Sequence, residues 1–225
     1  MANTETTINA IMQPQPNETP IDIEKTIKAL ERNKFVVNYF ETSAEAVAYL
    51  KHRIQNKCVA IGDSRTLLEI GVHDALSEVN EDITDIQRPL PGESFRDTAL
   101  RTMGRDVFLT SVNALSQTGE MVNIDGTGNR VAASLFGSQE VFFVLGVNKI
   151  TPDLASAIYR ARNVAAPLNS KKNKKSSLNP CATLDEKCYD CGSPDRICNA
   201  LTIYYKKMRN MQTMEIIIIN ESLGF

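Results

Sequence analysis

Histidine is nearly absent from this chain. Only His52 and His73 occur in 225 residues, and both sit in segments of helical pattern. That scarcity excludes a His-rich catalytic zinc site, and also a two-His-one-carboxylate iron site built on clustered histidines. Long apolar runs are missing as well, since none approaches the roughly 20 residues that span a bilayer. The opening stretch, "MANTETTINAIMQPQPNETP", has no basic segment, no apolar core and no cleavage-site pattern, so residues 1–20 are expected to be a flexible tail rather than a secretory signal. A dominant charge of one sign is lacking too. The formal net charge is −2, and the one basic run, "SKKNKK", is short and local. Neither nucleic acid nor an acidic membrane is therefore an expected partner. The expected location is the cytoplasm.

What is present is an ordinary globular composition, with 42% apolar and 23% charged residues. Apolar stretches of four to eight residues alternate with helical patterns. "KFVVNYFE", "CVAIGD", "ITDIQ", "DVFLTSV", "EVFFVLGV" and "TMEIIIIN" read as strands, and "EMVNID" as an extended segment. Between them, "IDIEKTIKALERN" places Ile23, Ile27 and Leu30 on one helical face. "SAEAVAYLKHRI" opens on Ser43 as an N-cap, and "SRTLLEIGVHDALSEV" continues as a helix. "TPDLASAIYRARNVA" carries Pro152 and Asp153 in its first turn. The alternation predicts an α/β fold with a mostly parallel sheet and one domain over residues 21–225.

Open α/β sheets place ligands beyond the carboxyl ends of their strands, and three loops qualify. "GDSRTLLEIG" offers Gly62 for a sharp turn, Ser64 and Thr66 hydroxyls at a helix start, and Glu69 one turn on. Its alternative reading is a plain capped helix. "SVNALSQTGEMVNIDGTGNRVAA" gathers Asn113, Gly119, Asn123, Asp125, Gly126, Gly128, Asn129 and Arg130; it reads either as a ligand-wrapping loop with exposed backbone N–H groups or as a β-hairpin turning on "DG" and "GN". "GVNKI" puts Asn148 and Lys149 just after a buried strand, where a desolvated lysine can act as a nucleophile and a solvated one does nothing.

Four of the five cysteines fall in "NPCATLDEKCYDCGSPDRIC", residues 179–198: Cys181, Cys188, Cys191 and Cys198, with gaps of six, two and six residues. The two-residue gap lets both thiolates of Cys188 and Cys191 reach one metal centre, and the outer pair is near enough to complete a set of four. The spacing matches neither the ferredoxin run nor a zinc ribbon. Zinc, an iron–sulfur cluster, disulfides and free thiols all remain open. Cys58, alone in a strand, reads as a small core residue.

Together, "SVNALSQTGEMVNIDGTGNRVAASLFG", "FFVLGVNKITPDLASAIYRARNVAAPLN", "CYDCGSPDRICNAL" and "NESLGF" resemble the lactate-utilization (LUD) domain family in its stand-alone form, related to LutC and YkgG. The resemblance implies a Rossmann-type sheet similar to the NagB/RpiA/CoA-transferase superfamily, with helices on both faces. It implies a place in organic-acid (lactate) utilization and redox metabolism beside iron–sulfur oxidoreductase subunits, but it defines no reaction. Carried onto this sequence, Gly62, Ser64, Thr66 and Glu69 fall on the superfamily's anion loop. Asn113, Gly119, Asn123, Asp125, Gly126, Gly128, Asn129 and Arg130 fall on the central motif, and Asn148 and Lys149 on the third. One pocket for an anionic small molecule is expected, with Arg130 and Lys149 supplying charge and Glu69 or Asp125 as acid/base. Two other readings compete: a non-catalytic metabolite sensor or iron–sulfur partner subunit, and an enzyme handling CoA esters or sugar phosphates.

Overall fold

The computed structural model of the protein describes residues 20–172, 178–184 and 187–225. The expected tail up to residue 19 and the second half of the basic run lie outside the described residues. The main sheet has six strands: β1 (Val36–Phe40), β2 (Cys58–Ile61), β3 (Asp82–Asp85), β4 (Val107–Thr110), β7 (Glu140–Gly146) and β10 (Thr213–Ile219). They lie in the order β1-β10-β7-β4-β2-β3, and every pairing is parallel. A parallel sheet is covered on both faces, so its strands read as unbroken apolar runs. Along β7, Val141, Phe143 and Leu145 point to one core and Phe142 and Val144 to the other; along β10, Ile216 and Ile218 oppose Ile217 and Ile219 in the same way.

One face is covered by α2 (Ser43–Arg53), α3 (Arg65–Glu69) and α4 (Val72–Ser77), through Ala46, Leu50, Leu67, Val72 and Leu76. The other is covered by α1 (Ile23–Arg32), through Leu30, and α6 (Asn129–Leu135), through Ala133. α5 (Phe95–Arg101) links β3 to β4. The same core takes in Leu115, Met121, Ile150 and Tyr204, which belong to a second sheet. That sheet is small and mixed, in the order β8-β5-β6-β9, built from β5 (Ala114–Ser116), β6 (Met121–Asp125), β8 (Ile150–Thr151) and β9 (Ala200–Tyr204). Its outer face is covered by α7 (Leu154–Arg160), which runs through a π turn (Ala161–Ala165) into α8 (Ala166–Lys172). Among the described residues no helix is long and apolar enough to cross a membrane.

Local differences from the sequence expectations have physical causes. Thr42, not Ser43, caps α2, because Thr42 and Glu45 form a reciprocal capping box that satisfies two orphan N–H groups at once. The expected helix after Ser64 breaks at Ile70–Gly71 into α3 and α4. Pro152 precedes the cap residue Asp153 and so lies outside α7. The hairpin of the central motif turns at Gln117–Glu120, upstream of "DGTGN", which instead leads from β6 into α6.

Candidate functional site

β7, β4 and β2 are neighbours in a parallel sheet, so the segments after Gly146, Thr110 and Ile61 emerge side by side at one edge. Over that edge lies a cavity of about 720 Å³, within the range of small-molecule sites. All three sequence loops reach it. Ser64 comes from the first, Asn113, Asp125, Gly126, Asn129 and Arg130 from the second, and Lys149 from the third.

Lys149 sits on a single 3-10 turn (Val147–Lys149) that caps the end of β7, and it is only 4% exposed. Its Nζ donates to Thr66 Oγ1 at 2.9 Å and to Ser111 Oγ at 3.0 Å. Burial, followed by the charges of Arg160 and Arg130, lowers its pKa to about 7 against the opposing pull of Glu69. Neither hydroxyl partner carries a negative charge, so nothing in contact compensates the ammonium form. Behind it, Arg160 donates from Nε to the Asn148 carbonyl at 3.1 Å and from Nη1 to the Asn113 carbonyl, and burial lowers its own pKa to about 10.

The "NESLGF" ending closes over this amine. Gly224 adopts φ +64°, and a Cβ there would stand 2.6 Å from Thr66 Oγ1 and 3.1 Å from Lys149 Nζ. Glycine is thus required by both backbone and space. Its N–H donates to Glu69 Oε2 at 2.7 Å, while Glu69 Oε1 accepts from Arg65 Nε at 2.8 Å. Burial alone would raise the Glu69 carboxyl, but the Gly224 N–H and Arg65 outweigh it and hold it below the ordinary range.

Asp125 is buried and already engaged. Oδ1 accepts from the Thr127 and Gly128 N–H groups at 3.2 and 3.0 Å, and Oδ2 from Val131 at 3.2 Å, with Arg130 Nε 3.7 Å away. Two of the N–H groups of "DGTGN" that the sequence offers to an anion, those of Thr127 and Gly128, are therefore taken by the motif's own carboxylate. Arg130 is steered into the cavity wall by donating from Nη2 to the Ile124 carbonyl at 2.5 Å.

Several candidates do not line this cavity. Thr66 acts through Lys149. Asn123 accepts from the Asn113 N–H at 3.0 Å and donates to the Ser111 carbonyl at 3.3 Å. Asn148 accepts from the Leu223 N–H at 3.1 Å. Gly62 packs against the Phe108 ring, Gly119 against Ala29 in the hairpin turn, and Gly128 starts α6. Sequence reasoning missed Ser111, Arg160 and Gly224 because their roles arise from contacts remote in sequence. It also missed Pro194–Ile197, which form one wall of the cavity. Gly126 touches that wall directly, since a Cβ on it would lie 2.9 Å from the Ile197 carbonyl oxygen.

The four clustered cysteines line a second cavity. None of the chain's five cysteines is in a disulfide. Burial raises the Cys198 thiol against the pull of Arg196, and the nearby Cys188 and Cys191 add to the rise. Among the described residues no group of three or more His, Cys, Asp and Glu is placed to hold a metal ion. Cys58 departs from its expected place in the core. It sits half-exposed at the start of β2, where a hydrogen bond to Asp82 holds its thiol above the ordinary range.

The LUD domain model matches residues 23–219. A crystal structure of a DUF162 family protein from Deinococcus radiodurans superposes with a TM-score of 0.52 at 12% identity, covering 89% of this chain and 99% of that one. At that identity the likeness speaks for the fold alone. No curated protein matches the chain.

Proposed function

The chain belongs to the LUD domain family, and on that premise we propose that it acts in organic-acid metabolism by binding a small anionic molecule in the 720 Å³ cavity, with Lys149 as its acid/base amine. The observation that carries this reading is the placement of Lys149, an almost fully buried amine held by two neutral hydroxyls at the floor of a polar cavity. A group that titrates near pH 7 is populated in both protonation states there, which general acid–base work needs. Glu69 and Asp125, the carboxylates named from sequence, serve instead as anchors in this reading: Glu69 accepts from the Gly224 N–H and Arg65, and Asp125 from three backbone N–H groups with Arg130 beside it.

The cavity lining supports an anion. Arg65, Arg130, Lys172 and Arg196 line the cavity together with Asp63, Asp125 and Asp195; since Arg65, Arg130 and Arg196 are paired with Glu69, Asp125 and Asp190, protonated Lys149 adds the charge that favours an anion. Binding an anion beside Lys149 favours its ammonium form and raises its pKa. A bound acid therefore draws a proton onto the amine, which can then return it to the reacting atom. Arg130 orients the ligand by charge-assisted hydrogen bonds.

Carboxylates of the lactate type come first among ligands, on the strength of the family. A CoA- or sugar-phosphate ligand is the competing outcome. Thermal-shift screening with lactate and related 2-hydroxy and 2-oxo acids, CoA esters and sugar phosphates separates the two. Association with iron–sulfur oxidoreductase subunits belongs to the same proposal, and co-purification from the native host tests it.

A further inference from the structure

Lys149 holds its amine in a way that proton transfer alone does not require. An ammonium group has three N–H donors, and the described residues offer acceptors for two, Thr66 Oγ1 at 2.9 Å and Ser111 Oγ at 3.0 Å. A neutral amine donates both of its N–H groups to those hydroxyls and keeps its lone pair. Behind it stands Arg160, whose acceptors are main-chain oxygens rather than carboxylates: that of Asn113, that of Asn148 at 3.1 Å and that of Phe225 at 3.2 Å. Burial first, and then the Arg160 charge, favour the neutral amine. Desolvation and a neighbouring cation are the two conditions that make a lysine a nucleophile. Both meet at Lys149, which is almost fully buried and lines the 720 Å³ cavity. We propose that Lys149 condenses with the carbonyl carbon of an anionic carbonyl compound, of the 2-oxo acid type, to form an imine.

The Nζ lone pair attacks the carbonyl carbon and forms the C–N bond, while the carbonyl π pair moves onto oxygen. One N–H proton passes to that oxygen and gives a carbinolamine. The second N–H proton leaves with the hydroxyl as water, and the C=N bond forms. Amine and carbonyl thus give imine and water, with no net oxidation or reduction. The two protons that leave Nζ are those donated to Thr66 and Ser111. These hydroxyls lie 3.4 Å from each other, and each can accept a proton as it passes on its own. The Gly224 main chain lies against the amine, a Cβ on it reaching within 3.1 Å of Nζ, and limits the water that hydrolyses an imine.

This covalent role rests on the cavity being an anion site. A bound anion favours the ammonium form, and Arg160 opposes it, so the nucleophilic form stays populated beside the ligand.

Reductive trapping of the full chain is the test. The wild type is incubated with pyruvate or with dihydroxyacetone phosphate in the presence of cyanoborohydride, and the product is read by intact-mass and peptide mass spectrometry. A single reduced adduct on Lys149 is expected from at least one probe, and the probe that reacts tells a carboxylate from a phosphate as the anionic group. Lys149→Met should lose the adduct, and Thr66→Val and Ser111→Ala should slow trapping about tenfold or more. Adduct spread over the solvated lysines, or undiminished in Lys149→Met, would overturn the proposal, as would no adduct from either probe. Calorimetry with the same probes and no reductant tells two failures apart. Binding without trapping rejects the imine and leaves the anion site standing, whereas neither binding nor trapping rejects both. If Lys149→Met does not fold, the share of wild-type adduct that maps to Lys149 decides.

Discussion

Lys149 Nζ and Thr66 Oγ1 lie 2.9 Å apart although 83 positions separate them in the chain. The contact joins the end of β7 to the first turn after β2, and it forms only because those strands emerge at the same edge of the sheet with β4 between them. The amine it holds is the chemical centre of the proposed site.

Competitive acylation of the lysines is expected to single out Lys149. Its apparent pKa should lie near 7, against about 10.4 for solvated lysines. An apparent value within about one unit of the solvated lysines would remove the basis for acid/base work at this residue.

The same burial makes stability depend on pH. Lys149 titrates at about 7 when folded and near its ordinary 10.5 when unfolded. Between those values the unfolded chain binds more protons, so stability rises with pH across that window. The cost of the buried ammonium is fully present below the folded pKa and gone above the unfolded one. Urea-unfolding free energies of the wild type relative to Lys149→Met should therefore climb between about pH 7 and pH 10, by on the order of a few kcal/mol. A flat difference across that range would mean that the amine is not desolvated.

Gly224→Ala is expected to destabilise the chain by about 1–3 kcal/mol, because the added Cβ collides with Thr66 Oγ1 in a backbone conformation unsuited to alanine. The apparent pKa of Lys149 should move upward as its cover is displaced. Chemical denaturation together with lysine labelling of the variant checks both. Unchanged stability with an unchanged pKa would show that the 220–225 segment does not seal the amine.

Much of the main sheet was legible in the sequence, since strands buried on both faces announce themselves as unbroken apolar runs such as "EVFFVLG" and "MEIIII". The three loops were legible too, because each follows such a strand. The small second sheet was harder to read: β5 and β8 have only three and two residues, too short to show a period. The hydrogen-bonding of Asp125 was also hidden, since nothing in "DGTGN" says whether its N–H groups serve a ligand or the adjacent carboxylate. Ser111 and Gly224 owe their roles to contacts with residues 38 and 155 positions away. The four cysteines were conspicuous from the start, yet their spacing alone favoured a metal without choosing between zinc and a cluster, and left disulfides and free thiols open.

Calorimetric titration of the chain with lactate and its 2-oxo counterpart tests the central claim most directly, with Arg130→Ala and Lys149→Ala in parallel. Saturable binding by the wild type, weakened at least about tenfold in each variant, is the predicted result. Equal binding by all three proteins, or no binding of any small organic anion to the wild type, would contradict the account.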